Sequence, residues 1–388
     1  MIPYGRQSID EDDIQAVVEV LRSDWLTTGP MVEKFEQAVA DFVGAKHAVA
    51  VSSGTAALHC AMYAAGIGPG DEVILPPMTF VATANAVVFQ GGTPVFADVD
   101  ADTLLINPAE VEKKISPKTK AIIAVDYAGQ PCDYDALRAI ADRHNLILIA
   151  DACHSLGAEY KEKKVGTLAD LTVFSFHPVK HITTGEGGMV VTDNAEYAEK
   201  MRRFRNHGIT TDHRQRTKAG TWYYEMADLG YNYRLTDFQC ALGLSQLQKL
   251  PTWISRRREI AEEYNKTFAE IPTVRPLKAL QDRKHVYHLY VIRLGLERLQ
   301  IDRSVIFDSL RKDGFRVNVH YIPVHLQSFY QKRYGTKRGQ CKVAETVYEE
   351  LLTLPMFPGL SHGDVDEIIG ALLSACRVRA SIGHRRGY

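Results

Sequence analysis

The residue best suited to covalent chemistry in this 388-residue chain is Lys180. It stands in the run FSFHPVKHITTGEGG at 174–188, past an apolar stretch and before a Gly-rich turn. A desolvated amine has a lowered pKa and attacks aldehydes to form an imine. His177 and His181 are near in sequence, and a second cationic group would push the pKa the same way. The plainer reading is a surface lysine in a loop, which the apolar neighbours weaken. Asp151 closes the apolar run 146–150. A carboxylate at the carboxyl end of a central strand is poorly placed for packing and well placed for a ligand. A helix cap or an ion pair explains it equally well. His154 follows three residues later and can sit above the same site, although a lone histidine is more often simply buried and satisfied.

An anion site is suggested by Ser52-Ser53-Gly54-Thr55-Ala56, between a strand pattern and a helix pattern. Gly54 lets the backbone approach a ligand, and the first N–H groups of the helix attract negative charge. Taken alone, the motif reads as an N-capped turn. It lacks the Gly-Lys-Ser/Thr of a Walker loop and the GxGxxG of a dinucleotide fold. Combined with Lys180 and Asp151, it matches pyridoxal phosphate. That cofactor needs a lysine for its aldehyde, an acid for its ring nitrogen and a cup for its phosphate. The Ser175 hydroxyl is a further phosphate donor. Phe80 can stack on the ring, although an aromatic is usually just buried.

The elements around these residues alternate. Apolar strand patterns lie at 48–51, 73–75, 95–97, 121–125, 146–150 and 173–176, with helical patterns at 56–65, 81–89, 108–115 and 134–144. Continuous apolar strands separated by helices predict an α/β fold with a mostly parallel sheet covered on both faces. Before them, Ser8 and Glu11 suggest a capping box for a helix carrying Ile14, Val17, Val18 and Leu21. A second helix carries Val32, Phe35, Val39 and Phe42 and ends at Gly44. From about 250 the texture changes: helix 254–271, strand 287–294, helix 303–312, strand 316–320 and helix 365–377. The expected division is a large domain, 1–250, and a smaller α+β domain, 251–388.

Composition excludes several classes. Lys+Arg 46 against Asp+Glu 47 leaves a net charge of -1 and no field to hold nucleic acid or an anionic membrane. The stretches Arg256-Arg257-Arg258 and Arg385-Arg386 are too short to alter that. Six scattered cysteines without a CxxC pair argue against a disulfide framework or a structural zinc, and no metal site is expected. With neither a leader pattern nor an apolar run of spanning length, the chain reads as soluble and cytoplasmic.

The chain resembles the DegT/DnrJ/EryC1/StrS family of nucleotide-sugar aminotransferases, of the fold type I (aspartate aminotransferase-like) kind. The resemblance rests on WLTTGP at 25–30, AVAVSSGTAAL at 48–58, GIGPGDEVILP at 66–76, TFVATAN at 79–85, TPVFAD at 93–98, DACHSLGA at 151–158, the run at 174–188 and GYNYRLTDFQCA at 230–241. It implies that Lys180 holds the cofactor, Asp151 pairs with the ring nitrogen and Phe80 stacks on the ring. It gives the phosphate to Gly54, Thr55, Ala56 and Ser175, with Asn232 of the partner subunit, and hence implies a homodimer with composite active sites. His154, at a position often Gln in the family, is expected near the ring hydroxyl. Family members with His in place of the lysine dehydrate sugars instead, and Lys180 argues against that branch. The branch most resembled is the transaminase of pseudaminic acid formation, through VDYAG at 125–129, the lysine run and VHYIPVHLQ at 319–327. There the partners would be glutamate and a UDP-linked 4-keto-6-deoxy-N-acetylhexosamine. Candidates for substrate contact are Tyr4, Leu26, Thr27, Ser53, Arg234, His320 and Tyr321. His181 departs from the proline expected in that branch. The alternatives are a GDP-linked ketosugar or, less in keeping with an intact Lys180–Asp151–Ser175 set, a non-catalytic regulator.

Overall fold

The computed structural model describes residues 1–377; the stretch Arg385-Arg386 and the rest of the tail lie outside the described residues. Its centre is a seven-stranded sheet: β1 His47–Val51, β2 Glu72–Leu75, β3 Thr93–Phe96, β4 Thr119–Val125, β5 Ile147–Asp151, β6 Leu171–Ser175 and β7 Gly188–Thr192. The spatial order is β1-β7-β6-β5-β4-β2-β3. The pairs from β6 through β5, β4 and β2 to β3 are all parallel, while β7 runs antiparallel to both β1 and β6. The strands are almost wholly buried, as a sheet covered on both faces requires. Helices Gly54–Ala64, Val81–Phe89 and Tyr134–His144 supply crossovers, and their Ala-rich faces allow close approach to the sheet.

Register aligns the carboxyl ends. Val125 of β4 pairs with Asp151 of β5, which pairs with Val173 of β6. Ser175 is the last residue of β6 and faces Gly188 at the start of β7. At this edge, β1 gives way through Ser52 and Ser53 to the helix Gly54–Ala64.

A second core forms around a small antiparallel sheet, β8 Val274–Pro276, β9 Tyr290–Leu294 and β10 Leu351–Leu354, in that order. Against it pack Ile260, Tyr264 and Phe268 of a long helix, with Ile306, Leu310, Val365, Ile368 and Leu372.

Several elements differ from the sequence reading. The first helix is capped by Asp10, not Ser8: Asp10 Oδ1 accepts the Asp13 N–H and Asp13 Oδ2 accepts the Asp10 N–H. The Ser8 carbonyl is instead taken by Gln246 Nε2 at 2.9 Å. That helix buries Asp13 and Val20 while Ile14 and Leu21 stay exposed. The helix expected from 254 begins at Asp237 and runs to Phe268, straight through Pro251. A Thr236–Gln239 capping box starts it, and its packed length tolerates the missing proline N–H. Residues 316–320 form no strand; Asn318 makes one isolated bridge to Thr353. β7, β8 and β10 are strands that the sequence reading lacks.

Candidate active site

The carboxyl edge of the sheet opens into a cavity of about 630 Å³. Each of its functional groups is fixed by a chain element that ends there. Asp151, buried at the tip of β5, accepts a hydrogen bond from Thr83 Oγ1 at 2.6 Å and one from the Cys153 N–H at 3.3 Å. Thr83 is itself bonded to Thr79 Oγ1 at 2.6 Å. Among the described residues Asp151 has no ion pair within 4 Å, so one of the plainer explanations for it fails and its charge is directed at the cavity.

Lys180 is partly buried and lines the same cavity. Its backbone N–H is tied to the His177 carbonyl at 2.8 Å, in the turn after β6. Burial lowers the pKa of its amine, and the nearby Cys153 and Asp151 oppose that only in part. The neutral amine, the state a nucleophile or proton acceptor needs, is thereby favoured.

At the start of the helix Gly54–Ala64, Ser53 Oγ accepts the Ala56 N–H at 3.0 Å. The cap expected of that turn is therefore present, and the Gly54 and Thr55 N–H groups beyond it remain at the cavity. Gly54 is required by close approach: a Cβ there would lie 2.8 Å from Ser175 Cβ and 3.0 Å from Ser175 Oγ. Gly54 and Ser175 thus form one cradle from two elements. Ala56 is buried behind it, its N–H spent on Ser53.

Phe80 is 56% exposed and lines the cavity from the N-terminal end of Val81–Phe89; it is not a core aromatic. Opposite it lies Tyr321, with ring centres 6.1 Å apart. Tyr321 Oη lies 3.2 Å from His154 Nε2, while His154 Nδ1 is buried without a partner. Burial and the Lys180 charge hold the pKa of His154 well below that of a free imidazole. Burial does the same to His320, whose pKa falls to about 3, so both rings are neutral near pH 7. Tyr4 packs on His320, with ring centres 5.3 Å apart, and also lines the cavity.

Four expected residues lie elsewhere. Asn232 is exposed, and its backbone bridges to Asn206. Arg234 Nη1 donates to Asn206 Oδ1 at 2.7 Å, with no ion pair among the described residues, and lines a separate cavity of about 310 Å³ with Arg202, Arg203 and Arg205. Leu26 and Thr27 are exposed, and Thr27 pairs its backbone with Thr236. Several cavity residues escaped the sequence reading, among them Thr83 and His288. Thr83 stands three residues after Phe80, one helical turn on, an offset that could have revealed it. His288, 3.5 Å from Lys180 Nζ, carries no local signal, being 108 residues away.

These groups fit pyridoxal phosphate: an amine of depressed basicity, an unpaired carboxylate, a helix N-terminus with a glycine-made cradle, and an unpartnered imidazole nitrogen. Among the described residues, no group of three or more His, Cys, Asp or Glu could hold a metal ion, and no helix is long and apolar enough to cross a membrane.

The chain belongs to the DegT/DnrJ/EryC1/StrS aminotransferase family, whose profile it matches over residues 7–373. It is therefore a sugar aminotransferase with the fold of the pyridoxal-phosphate-dependent aminotransferases. It is 44% identical over 374 residues to the spore coat polysaccharide biosynthesis protein SpsC of Bacillus subtilis, covering 96% of each chain. Among solved structures it is similar to PseC of Helicobacter pylori, an aminotransferase involved in the biosynthesis of pseudaminic acid. Identity there is 37%, with a TM-score of 0.91 and coverage of 97% of this chain and 99% of that one. The PLP form of the putative sugar aminotransferase Spr1654 of Streptococcus pneumoniae matches at 33% identity and a TM-score of 0.90, covering 97% and 99%.

Proposed function

We propose that this chain is a pyridoxal-phosphate-dependent aminotransferase that moves the amino group of glutamate to C4 of a UDP-linked 4-keto-6-deoxy-N-acetylhexosamine, a step in pseudaminic acid formation. The observation that carries the chemistry is the convergence of the Lys180 amine, the Asp151 carboxylate and the Gly54–Ser175 cradle on one cavity. The likeness to PseC supports the choice of sugar.

Bound there, the cofactor supplies an electron sink for the carbanion left when a proton departs. The protein groups do the rest. Lys180 would hold the cofactor at rest and, once released, would take and return the proton at the reacting carbon of the amino donor or acceptor. Its lowered basicity lets it accept that proton at neutral pH. Asp151, fixed by Thr83 and Cys153, would pair with the ring nitrogen. Gly54, Thr55 and Ser175 would hold the phosphate, His154 would serve the ring hydroxyl and Phe80 would stack on the ring. Tyr4, Ser53, His320 and Tyr321 meet the sugar nucleotide. The working form is a cytoplasmic homodimer, in which Asn232 of the partner subunit completes the phosphate site, and Leu26, Thr27 and Arg234 contact the sugar nucleotide.

A second reading keeps the chemistry and changes the sugar nucleotide. It is favoured by the 44% identity to SpsC, above the 37% to PseC. The test is the absorbance of the purified holoprotein with glutamate, followed by mass analysis of products from UDP- and GDP-linked 4-keto sugars. Bleaching of the cofactor band and a new UDP-linked amino sugar are expected. A band indifferent to glutamate would remove the proposal; amination of the GDP-linked sugar alone would replace the substrate.

A further inference from the structure

The environment of the Lys180 amine is unlike that of a lysine paired to an acid. Among the described residues its one hydrogen-bond partner is His288 Nε2, at 3.5 Å, and no carboxylate lies within 4 Å. His288 is held in place from several sides. Its neighbours Val286 and Leu289 donate backbone N–H bonds to the carbonyls of Gly129 (3.0 Å) and Ala128 (3.2 Å). The buried Arg257 guanidinium bonds the carbonyls of Tyr287 (3.1 Å) and His288 (3.4 Å). His181, next to the lysine, lies with Nε2 3.1 Å from the Val286 carbonyl. Two adjacent residues of the lysine loop therefore grip two points of one short segment, residues 286 and 288.

The charges around the pair define what His288 can do. It faces Lys180, His154, His181 and Arg257. Lys180 is faced in turn by Asp151, Cys153, His154, His181, His288 and His320. No acid stands against the His288 ring, and burial together with the Lys180 charge holds its pKa well below 6.5. A neutral imidazole that accepts at Nε2 carries its hydrogen on Nδ1, and Nδ1 has no protein partner here.

We propose that His288 is a positioning residue for Lys180: its Nε2 accepts a hydrogen from the Lys180 amine and holds that flexible side chain in the cavity whenever it is not joined to the cofactor. The inference rests on the function proposed above, because only a lysine that is released in each turnover needs such a rest. A four-carbon stem has many rotamers, and a misplacement near 1 Å costs a proton-transfer step ~10²-fold. The acceptor also favours the ammonium form slightly, so it moderates the effect of burial.

The test uses three forms: wild type, His288→Phe, which keeps a ring and loses the acceptor, and His288→Gln, which keeps an acceptor. The first readout needs no cofactor. In the cofactor-free protein, competitive labelling of Lys180 with acetic anhydride across pH, read by mass spectrometry, gives the midpoint of its titration. His288→Phe should move that midpoint down, and His288→Gln should restore it toward wild type. In the loaded enzyme, kcat should fall ~10–100-fold in His288→Phe with KM near wild type, and recover in His288→Gln. If His288→Phe fails to fold by circular dichroism, His288→Leu serves as the variant without an acceptor. An unchanged midpoint and kcat, or a Gln variant no better than Phe, would overturn the proposal. If wild type itself transfers no amine, the functional reading fails, while the labelling arm still reports on the contact.

Discussion

Two regions of the molecule carry its candidate functional residues, and they are built differently. The cavity at the carboxyl edge of the sheet draws its groups from the tips of β5 and β6, a helix start and the Lys180 turn; it buries Gly54, Asp151 and His154 and half-buries Thr55, Ser175 and Lys180. The other region, residues 25–28 and 206–234, presents Leu26, Thr27, Asn232 and Arg234 beside aromatics as open to solvent as Trp222, 85% exposed. The lining of the first comes from distant parts of the sequence. In the second, Tyr223, Tyr224, Met226 and Leu229 are also exposed, an apolar surface larger than scattered single residues. Groups whose chemistry depends on a low dielectric sit where the sheet can exclude water. Asn232, the residue expected to act through a second subunit, sits on an open face of the chain.

The sharpest way to break the first half of this comparison is Lys180→Ala. Turnover should drop beyond the ~10²–10⁴-fold that a positioned proton carrier contributes, because in the proposed function the same residue also anchors the cofactor. The lysine-linked absorbance should vanish with it, and a variant that keeps full activity would end the assignment. Asp151→Asn should be the next largest. It keeps the shape and the Thr83 contact but removes the charge, and a loss of ~10²–10³-fold in kcat is expected, measured with glutamate by the rate of bleaching. Unchanged bleaching would mean that Asp151 does not serve the ring nitrogen.

The cavity was legible in the sequence because its residues are local to strand ends. An apolar run followed by Asp151, or by Lys180 and a Gly-rich turn, announces a carboxyl edge without knowledge of the fold. The strands 48–51 and 121–125 were legible for the same reason: they are continuous apolar runs. β7 was missed because Gly187 and Gly188 read as the end of a turn, although Gly188 is the first residue of a strand held between β1 and β6. The start of the long helix was missed because Pro251 looked like a beginning. What no local pattern could give is the pairing of distant segments: His288 with Lys180, Gln246 with Asp13, or Arg257 with the carbonyls around 287. Such contacts are set by tertiary packing, and their residues look ordinary in sequence.

A subtler perturbation of the cavity is Gly54→Ala. The added methyl would sit 2.8 Å from Ser175 Cβ, so helix start and strand end must separate by a few tenths of an ångström. Overpacking of this kind costs about 1–3 kcal/mol. The effect should fall on cofactor retention more than on the chemical step. Dialysis followed by absorbance should show faster loss of cofactor than in wild type, with kcat at saturating cofactor near normal. Equal retention would mean that the cradle does not hold the phosphate.

The smallest effect tests the second half of the comparison. Lys180→Ala and Asn232→Ala should each weaken activity when pure, the second less severely. If each site takes its lysine from one subunit and its asparagine from the other, a mixed dimer has one site with both defects and one with neither. Unfolding equal amounts of the two variants together and refolding them should therefore give more activity than the average of the two parents refolded alone. Residues that serve a site within their own subunit cannot complement in this way, because every site built on the alanine-180 chain still lacks its amine, and every other site still lacks its asparagine. Lys180→Ala mixed with Asp151→Asn supplies that control: both groups lie on the one cavity of a single chain, so no gain is expected. A gain in neither mixture would place Asn232 outside the partner's site, and the exposed aromatic surface would need another explanation.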